Sequence, residues 1–550
     1  MIARVNDYSK SNFCMRLVRY LLIFSLCVMF SACGDRKTLV DVGNEKGILY
    51  LGNAAEPADI DPHITTGSPE HNIQTALYEG LVTKDLETLE PKPGVADSWS
   101  VSEDGRVYRF HIRDTARWSN GDKLVAQDFV DTWRRELMPK LGSAWAVYLF
   151  VIVNAEAFNK GEISDFSQVG VKALDEETLE ITLVSSTPYF LQMLDHNSMF
   201  PLHIKTIEKF GEIDERSTPW TRPENFVGNG PFIPVEWTPN KVFSVKKNPY
   251  YWNTKSVKLN QIDFLPIDNL VVQERMYRNG QLHIVEKLPP DKIAQYQSDP
   301  ALRTFLNYAT YFYRLNTTIK PLDDARVRKA LAYSINREAI AKYITKGGEI
   351  PAYSLTPPNY YYAPQARMVY DIDLAKKLLA EAGYPDGKGF PKLTLIYNTD
   401  ESHLKIAVAI QQMWKKSLGV DIKLQNQEWK VFLNNQHQMN YEISRASWSG
   451  DYVDPNTFLE MWITDGGNNE TGWANKEYDS LIRQASLAQN KAQRVAYFQR
   501  AEHILMDESP IIPIYNYSWN RLVSPSVKGW VDNIQDFYQF QNITLVPSEN

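Results

Sequence analysis

Cysteine is almost missing from this 550-residue chain. It has three, and Cys14, Cys27 and Cys33 all stand within the first 33 residues. Cleavage of a leader before Cys33 would leave one thiol at the new N-terminus. That excludes an internal disulfide, a cysteine–zinc site and thiol catalysis in the body of the chain. Long apolar runs are lacking too, since the stretch from Tyr20 to Phe30 is too short for a permanent membrane span. Basic charge is in deficit, with a formal net charge of −7, and scattered acids do not suit a nucleic-acid surface. The nine histidines are dispersed, and no H-E-x-x-H, G-x-S-x-G or Walker A run occurs, so catalysis is not expected and no cofactor or metal is called for. Gly228 and Gly230 lack the third glycine and the following helix of a phosphate loop and read as turn residues. There is no internal repeat and no low-complexity segment.

What is present starts with an export leader. Arg4, Lys10, Arg16 and Arg19 precede the apolar run, and Ser31-Ala32-Cys33 follows it, so residues 1–32 read as a signal peptide with Cys33 as the acylated first residue. Residues 33–46 are polar and read as a tether. The rest is long enough for two or three domains. Its 14 Trp, 30 Tyr and 23 Phe exceed what core packing asks for and suit a large concave binding site.

Along the chain, Ile48–Leu51 reads as a strand, Glu56–Glu70 as a loop, and Ile73, Leu77 and Leu81 as one helix face. Ala96–Arg135 is rich in hairpins, with turn signals at Glu103-Asp104-Gly105 and Trp118–Asp122, then a helix carrying Phe129, Val130, Trp133 and Leu137. Val171–Leu174 and Thr178–Val184 read as a strand pair. Further on, Lys392–Asn398 reads as a strand, Leu404–Leu418 as a helix stopped by Gly419, and Val420–Leu424 as a second strand. That β-α-β unit makes the class α/β.

One segment stands out, RASWSGDYVDPNTF from Arg445 to Phe458. Asp454 precedes Pro455 and an amphipathic stretch, which is the pattern of an N-cap with proline at N1. Asp451 has no capping duty. It follows Gly450 between Trp448 and Tyr452, and a carboxylate among aromatics suits a desolvated amine, though locally it reads equally as an exposed loop acid.

The W-x-x-D-Y run at Trp448, Asp451 and Tyr452 resembles that of the bacterial extracellular solute-binding proteins of family 5, above all those that bind oligopeptides for ABC importers. The likeness extends over most of the chain. It includes Trp99-Ser100, Trp118-Ser119-Asn120-Gly121, Asp128-Phe129-Val130 and a P-x-x-D-x-R-V-R-x-A-L run from Pro321 to Leu331. The resemblance implies a periplasmic-binding-protein fold (class II, cluster C), two lobes joined by a hinge plus an extra inserted domain. Lobe I would take 47–79, 204–308 and 515–550, the inserted domain 80–203, and lobe III 309–514.

It also implies roles. Asp451 would hold the ammonium of a peptide. Thr66-Gly67-Ser68 and Ser447-Trp448-Ser449 would sandwich its backbone as an added strand. Arg445 and His403, with Lys346 nearby in a looser match, would meet its carboxylate, while Gln436 replaces a basic residue of close relatives. Trp145, Trp429, Phe312 and Tyr313 would wall the side-chain pockets. Expected partners are short peptides with a free α-amine, an ABC permease with its ATPase, and the membrane through a lipid on Cys33; a monomer is expected. Receptors for dipeptides, murein peptides, haem or nickel chelates share the fold, and a surface adhesin or peptide sensor stays open.

Overall fold

The structure is a computed structural model and describes residues 37–65, 67–427, 429–450, 452–488 and 490–547. The leader, Cys33, Thr66 and Asp451 lie outside the described residues, as does the side chain of Trp429.

The residues read as a tether form a helix instead, α1 (Leu39–Lys46). The Thr38 hydroxyl accepts from the Asp41 amide (3.1 Å), the Asp41 carboxylate accepts from the Thr38 amide (2.9 Å), and Gly47 ends the helix at φ +68°. This capping box satisfies the first free amides, and Val40 ties the helix to the body by donating to the Gly280 carbonyl (2.9 Å).

Strand β1 (Ile48–Gly52) leads through a loop to α2 (Ser68–Leu77). Next come β2 (Ala96–Val101), β3 (Val107–Ile112), α3 (Ala126–Leu137), β4 (Val171–Ala173) and β5 (Thr178–Thr182). These four strands make an antiparallel sheet of order β2-β3-β5-β4. Alternation along β3 buries Tyr108, Phe110 and Ile112 and exposes Arg109 and His111, as one packed face requires.

A larger sheet of eleven strands carries the rest. It takes in β6 (Phe232–Thr238), β7 (Val242–Lys247), β8 (Gln261–Leu265), β9 (Ile284–Val285) and the long β10 (Leu302–Leu315). Beyond these lie β11 (Thr394–Asn398), α4 (Glu401–Leu418), β12 (Lys423–Gln427), α5 (Trp429–His437), β13 (Ile443–Ser449), α6 (Lys491–Glu508) and the long β14 (Ile511–Val523). The order is β12-β11-β13-β10-β14-β9-β1-β8-β7-β6, and the eleventh strand, the short Ile350–Pro351, pairs with β14 off this path. Strand β12 begins later than the apolar run at Val420 suggests, because Val420 and Ile422 are buried in the turn that follows Gly419.

Among the described residues, the three largest hydrophobic cores form around these sheets. One packs residues between Leu81 and Met199 on the four-stranded sheet. A second joins Leu49–Tyr78, Phe200–Ile284 and Val523–Ile543. The third runs from Tyr308 to Tyr515. The long pair β10 and β14 links the last two, and its register breaks between Leu306 and Thr310, where the ladder passes from one half of the big sheet to the other. Among the described residues no helix is long and apolar enough to cross a membrane.

Candidate functional site

Strand β13 has one covered edge and one open edge. It pairs with β10 from Ile443 to Ser449, but with β11 only at Ile443 and Ser444. The Gly450 amide donates to the Tyr308 carbonyl (2.8 Å), and antiparallel alternation then turns the amides and carbonyls of Ser447 and Ser449 away from β10. The Arg445 carbonyl points the same way and is already satisfied by Gln436 Nε2 (2.8 Å), which also donates to the Ser444 hydroxyl (2.9 Å). Gln436 therefore finishes the strand edge. Ser449 is exposed, Ser447 and Trp448 are half-buried, and the Trp448 indole donates to Thr457 (3.4 Å). An unpaired strand edge is a template for an added strand.

The chain leaves β13 by a turn that only glycine fits, since a Cβ on Gly450 would lie 2.4 Å from the Tyr308 ring. Beyond Asp451, Tyr452 is buried and stacks on Tyr189, with ring centroids 4.3 Å apart and planes 3° from parallel. Its hydroxyl donates to Glu460 (3.1 Å) and accepts from Asn456 Nδ2 (3.2 Å). So Tyr452 is packed into the turn and is no free wall of a cleft. Asp454 does accept from a helix amide, that of Asn456 (2.9 Å), although Pro455 rather than Asp454 takes the N-cap place. Its larger task is a buried ion pair. Both oxygens meet the Arg494 guanidinium at the start of α6, and Tyr361 donates its hydroxyl to the same carboxylate.

Arg445, nine residues earlier, is buried without a carboxylate in ion-pair range among the described residues. Its Nη2 donates to the Tyr517 hydroxyl (3.0 Å), its Nη1 reaches Asn398 Oδ1 (3.4 Å), and Nε has no partner. The guanidinium lies 5.0 Å from the centre of the Tyr311 ring. Burial works against this charge, but the oxygens of Tyr517, Tyr311 and Tyr515 outweigh it and raise the pKa. Tyr311 in turn stacks on Tyr515 (4.8 Å, 15°).

His403 stands in the first turn of α4, its ring 5.6 Å from that of Tyr311. It does not cap the helix. Asp400 does, accepting from the amides of Ser402 (2.7 Å) and His403 (3.1 Å). Burial and the nearby Arg445 lower the imidazole pKa to about 4, against the opposing pull of Asp400, so at neutral pH Arg445 is the only fixed cation of this cluster. Lys346 is exposed at a turn with φ +59°. Tyr313 shares the Tyr311 face of β10 and is fully buried, so it walls no open pocket. Phe312 points the other way into the core against Trp462 (5.7 Å), which removes it from the expected wall.

The other segment expected to bind belongs to the loop between β1 and α2. Gly67 is extended (φ −91°, ψ 152°), but Ser68 already starts the helix, with Pro69 behind it, so Ser68 is no part of the expected strand. A buried bidentate pair, Arg135 with Asp61 (3.1 and 2.6 Å), anchors this loop, and Arg135 also donates to His63 Nδ1 (3.0 Å). Burial and Arg135 together hold His63 neutral, lowering its pKa to about 3. Trp145 donates its indole N–H to the Thr65 carbonyl (2.8 Å) and packs on His196 (4.5 Å between centroids). These groups line a cavity of about 230 Å³ with Gly67, Ser68 and Asn197.

The segment motif thus singled out Arg445 and the outward amides of Ser447 and Ser449. It missed Asn398, Tyr515, Tyr517, Arg494 and Tyr189, none of which carries a local signal, because each meets the site only through tertiary packing.

Comparison with known proteins bears on the family and the fold. The family model for bacterial extracellular solute-binding proteins, family 5, matches residues 90–470. The periplasmic oligopeptide-binding protein OppA of Escherichia coli K12 is 36% identical over 507 residues, covering 88% of this chain and 90% of that protein. The periplasmic murein peptide-binding protein MppA of the same organism is 37% identical, covering 96% and 98%. The structure of MppA in its unliganded open form superposes with a TM-score of 0.83 at 36% identity, covering 91% of this chain and 98% of that one. A second MppA structure reaches 0.72 over the same shares. Haemophilus influenzae OppA in complex with the peptide RPPGFSPFR reaches 0.69 at 34% identity, covering 91% and 99%.

Proposed function

The chain belongs to family 5 of the bacterial extracellular solute-binding proteins, and from that premise we propose that it captures short peptides with a free α-amine between two lobes and delivers them to an ABC permease. The observation that carries this reading is the open edge of β13, which ends beside a buried guanidinium with no counter-ion among the described residues. A peptide added along Ser447–Ser449 satisfies the outward amides and carbonyls whatever its side chains are. From Ser449 to Arg445 the edge runs roughly 13 Å at about 3.3 Å per residue, the reach of a short extended peptide. Asp451, just past one end, takes the ammonium. Arg445 takes the carboxylate of the shortest ligands, and His403 that of longer ones.

The lobes are 47–79 with 204–308 and 515–550 on one side and 309–514 on the other, with 80–203 inserted; three separate cores support this division. Gly67 and Thr66 form the opposing lip, and Trp145 walls a side-chain pocket. Contacts from both lobes exist together only when they close, so ligand shifts the population from open to closed. A lipid on Cys33 keeps the receptor at the membrane. Murein peptides are the second reading, favoured by the 37% identity to MppA.

Native mass spectrometry of the purified mature protein tests the ligand class, with co-purified free-amine peptides expected and cross-linked cell-wall peptides marking the second reading. Calorimetry tests the anchor. Asp451→Ala should cost about 3–5 kcal/mol of binding, because the ammonium is left buried and unpaired. Unchanged affinity for that variant, or equal binding of N-acetylated peptides by the wild type, removes the assignment.

A further inference from the structure

An anchor meets its ligand at a fixed distance only if the chain that carries it is held still. The turn after Asp451 is held from a direction that no strand pairing supplies. Tyr189 precedes the short helix Phe190–Met193 on the edge of the core around the four-stranded sheet, and its ring lies flat on that of Tyr452. Arg494, which grips Asp454 two residues further on, has its guanidinium 5.9 Å from the centre of the Tyr189 ring. Around this stack, Gln192 Nε2 donates to the Tyr360 hydroxyl (3.3 Å) and Lys491 pairs with Glu90 (3.3 Å). The inserted region thus touches residues 452–454 through one half-buried aromatic ring, with polar contacts beside it.

We propose that Tyr189 is a positioning residue for the ammonium anchor: its stack on Tyr452 holds the turn that follows Asp451, so that a free α-amine is told from a capped one. This rests on the reading of Asp451 given above. A parallel aromatic pair adds about 0.5–1.5 kcal/mol beyond its buried area. Without it the turn spends only a fraction of its time in the binding-competent place, and apparent affinity falls by that fraction.

The test uses the full mature protein, tri-alanine and N-acetylated tri-alanine, with affinities from calorimetry or competition and melting curves for every variant. Tyr189→Ala and Tyr189→Leu should each weaken binding of the free peptide about five- to ten-fold. Neither should change binding of the acetylated one, and Tyr189→Phe should restore the wild-type value. In an Asp451→Ala background, Tyr189→Leu should have no further effect. Equal weakening of both peptides, or an undiminished effect in the Asp451→Ala background, overturns the proposal and leaves Tyr189 as ordinary packing. If the wild type fails to separate the two peptides, the anchor reading falls and takes this one with it. If the wild type separates them and Tyr189→Leu does so equally well, only the positioning role falls.

Discussion

Arg494 and Arg445 are both buried arginines that touch the same stretch of chain, in opposite electrostatic situations. Arg494 meets both oxygens of Asp454 and ties α6 to the segment that follows β13. Arg445 sits among tyrosines with hydroxyl and amide partners and, among the described residues, no carboxylate in ion-pair range, at the end of a strand edge that has lost its neighbour. A buried charge that is already paired builds structure. One held in place by neutral dipoles still has an unmet need for an anion, and the cheapest way to meet it is a ligand.

The same substitution at the two positions breaks or sharpens that contrast. Arg494→Met leaves the Asp454 carboxylate buried without its guanidinium, and denaturant unfolding should show a loss of about 3–5 kcal/mol. An unchanged midpoint would mean that water already reaches the pair. Arg445→Met removes a charge without orphaning a partner acid, so folding stability should stay within about 1 kcal/mol. Peptide binding measured by calorimetry should instead weaken by about 2–3 kcal/mol, the low end for truncating one side of a hydrogen-bonded charge pair. Reversed outcomes, with the stability loss at 445 and the binding loss at 494, would exchange their roles.

The smallest effect is on His403. Its unfolded imidazole takes up a proton near pH 6.5 and the folded one near 4. Between those values the unfolded state binds more protons, so stability falls as pH falls, and the contribution is fully present above about pH 6.5. His403→Gln should flatten the stability profile in this window. In the Arg445→Met protein the imidazole should titrate closer to 6.5 by NMR, since one of the two causes of its depression is gone. An unmoved titration would leave burial as the whole cause.

Where a pattern is local, the text of the chain was readable. The hairpins from Ala96 to Ile112, the helix stopped by Gly419, and the second duty of Asp454 as acceptor for a helix amide follow from turn residues, periodicity and caps. The helix at Leu39–Lys46 was readable and was overlooked, because Thr38, Asp41 and Gly47 carry its cap signals inside a polar stretch. The extended lip was overestimated at Ser68, where Pro69 already favours the first turn of a helix. Phe312 and Tyr313 show the limit of residue type as a guide. They are adjacent aromatics on one strand, and the pleat sends them to opposite faces, into two different packings.

By itself the sequence determined the local elements, the near-absence of thiols and the segment around Asp451 that marks the family. Only the tertiary structure decided which buried charges are satisfied. It brought Arg494 to Asp454 from 40 residues away and Tyr517 to Arg445 from 72, and it left β13 without a second neighbour past Ser444 among the described residues. Periodicity and caps act over a few residues and are written in order along the chain. A charge finds its counter-ion, and a strand its partner, only after distant segments have packed.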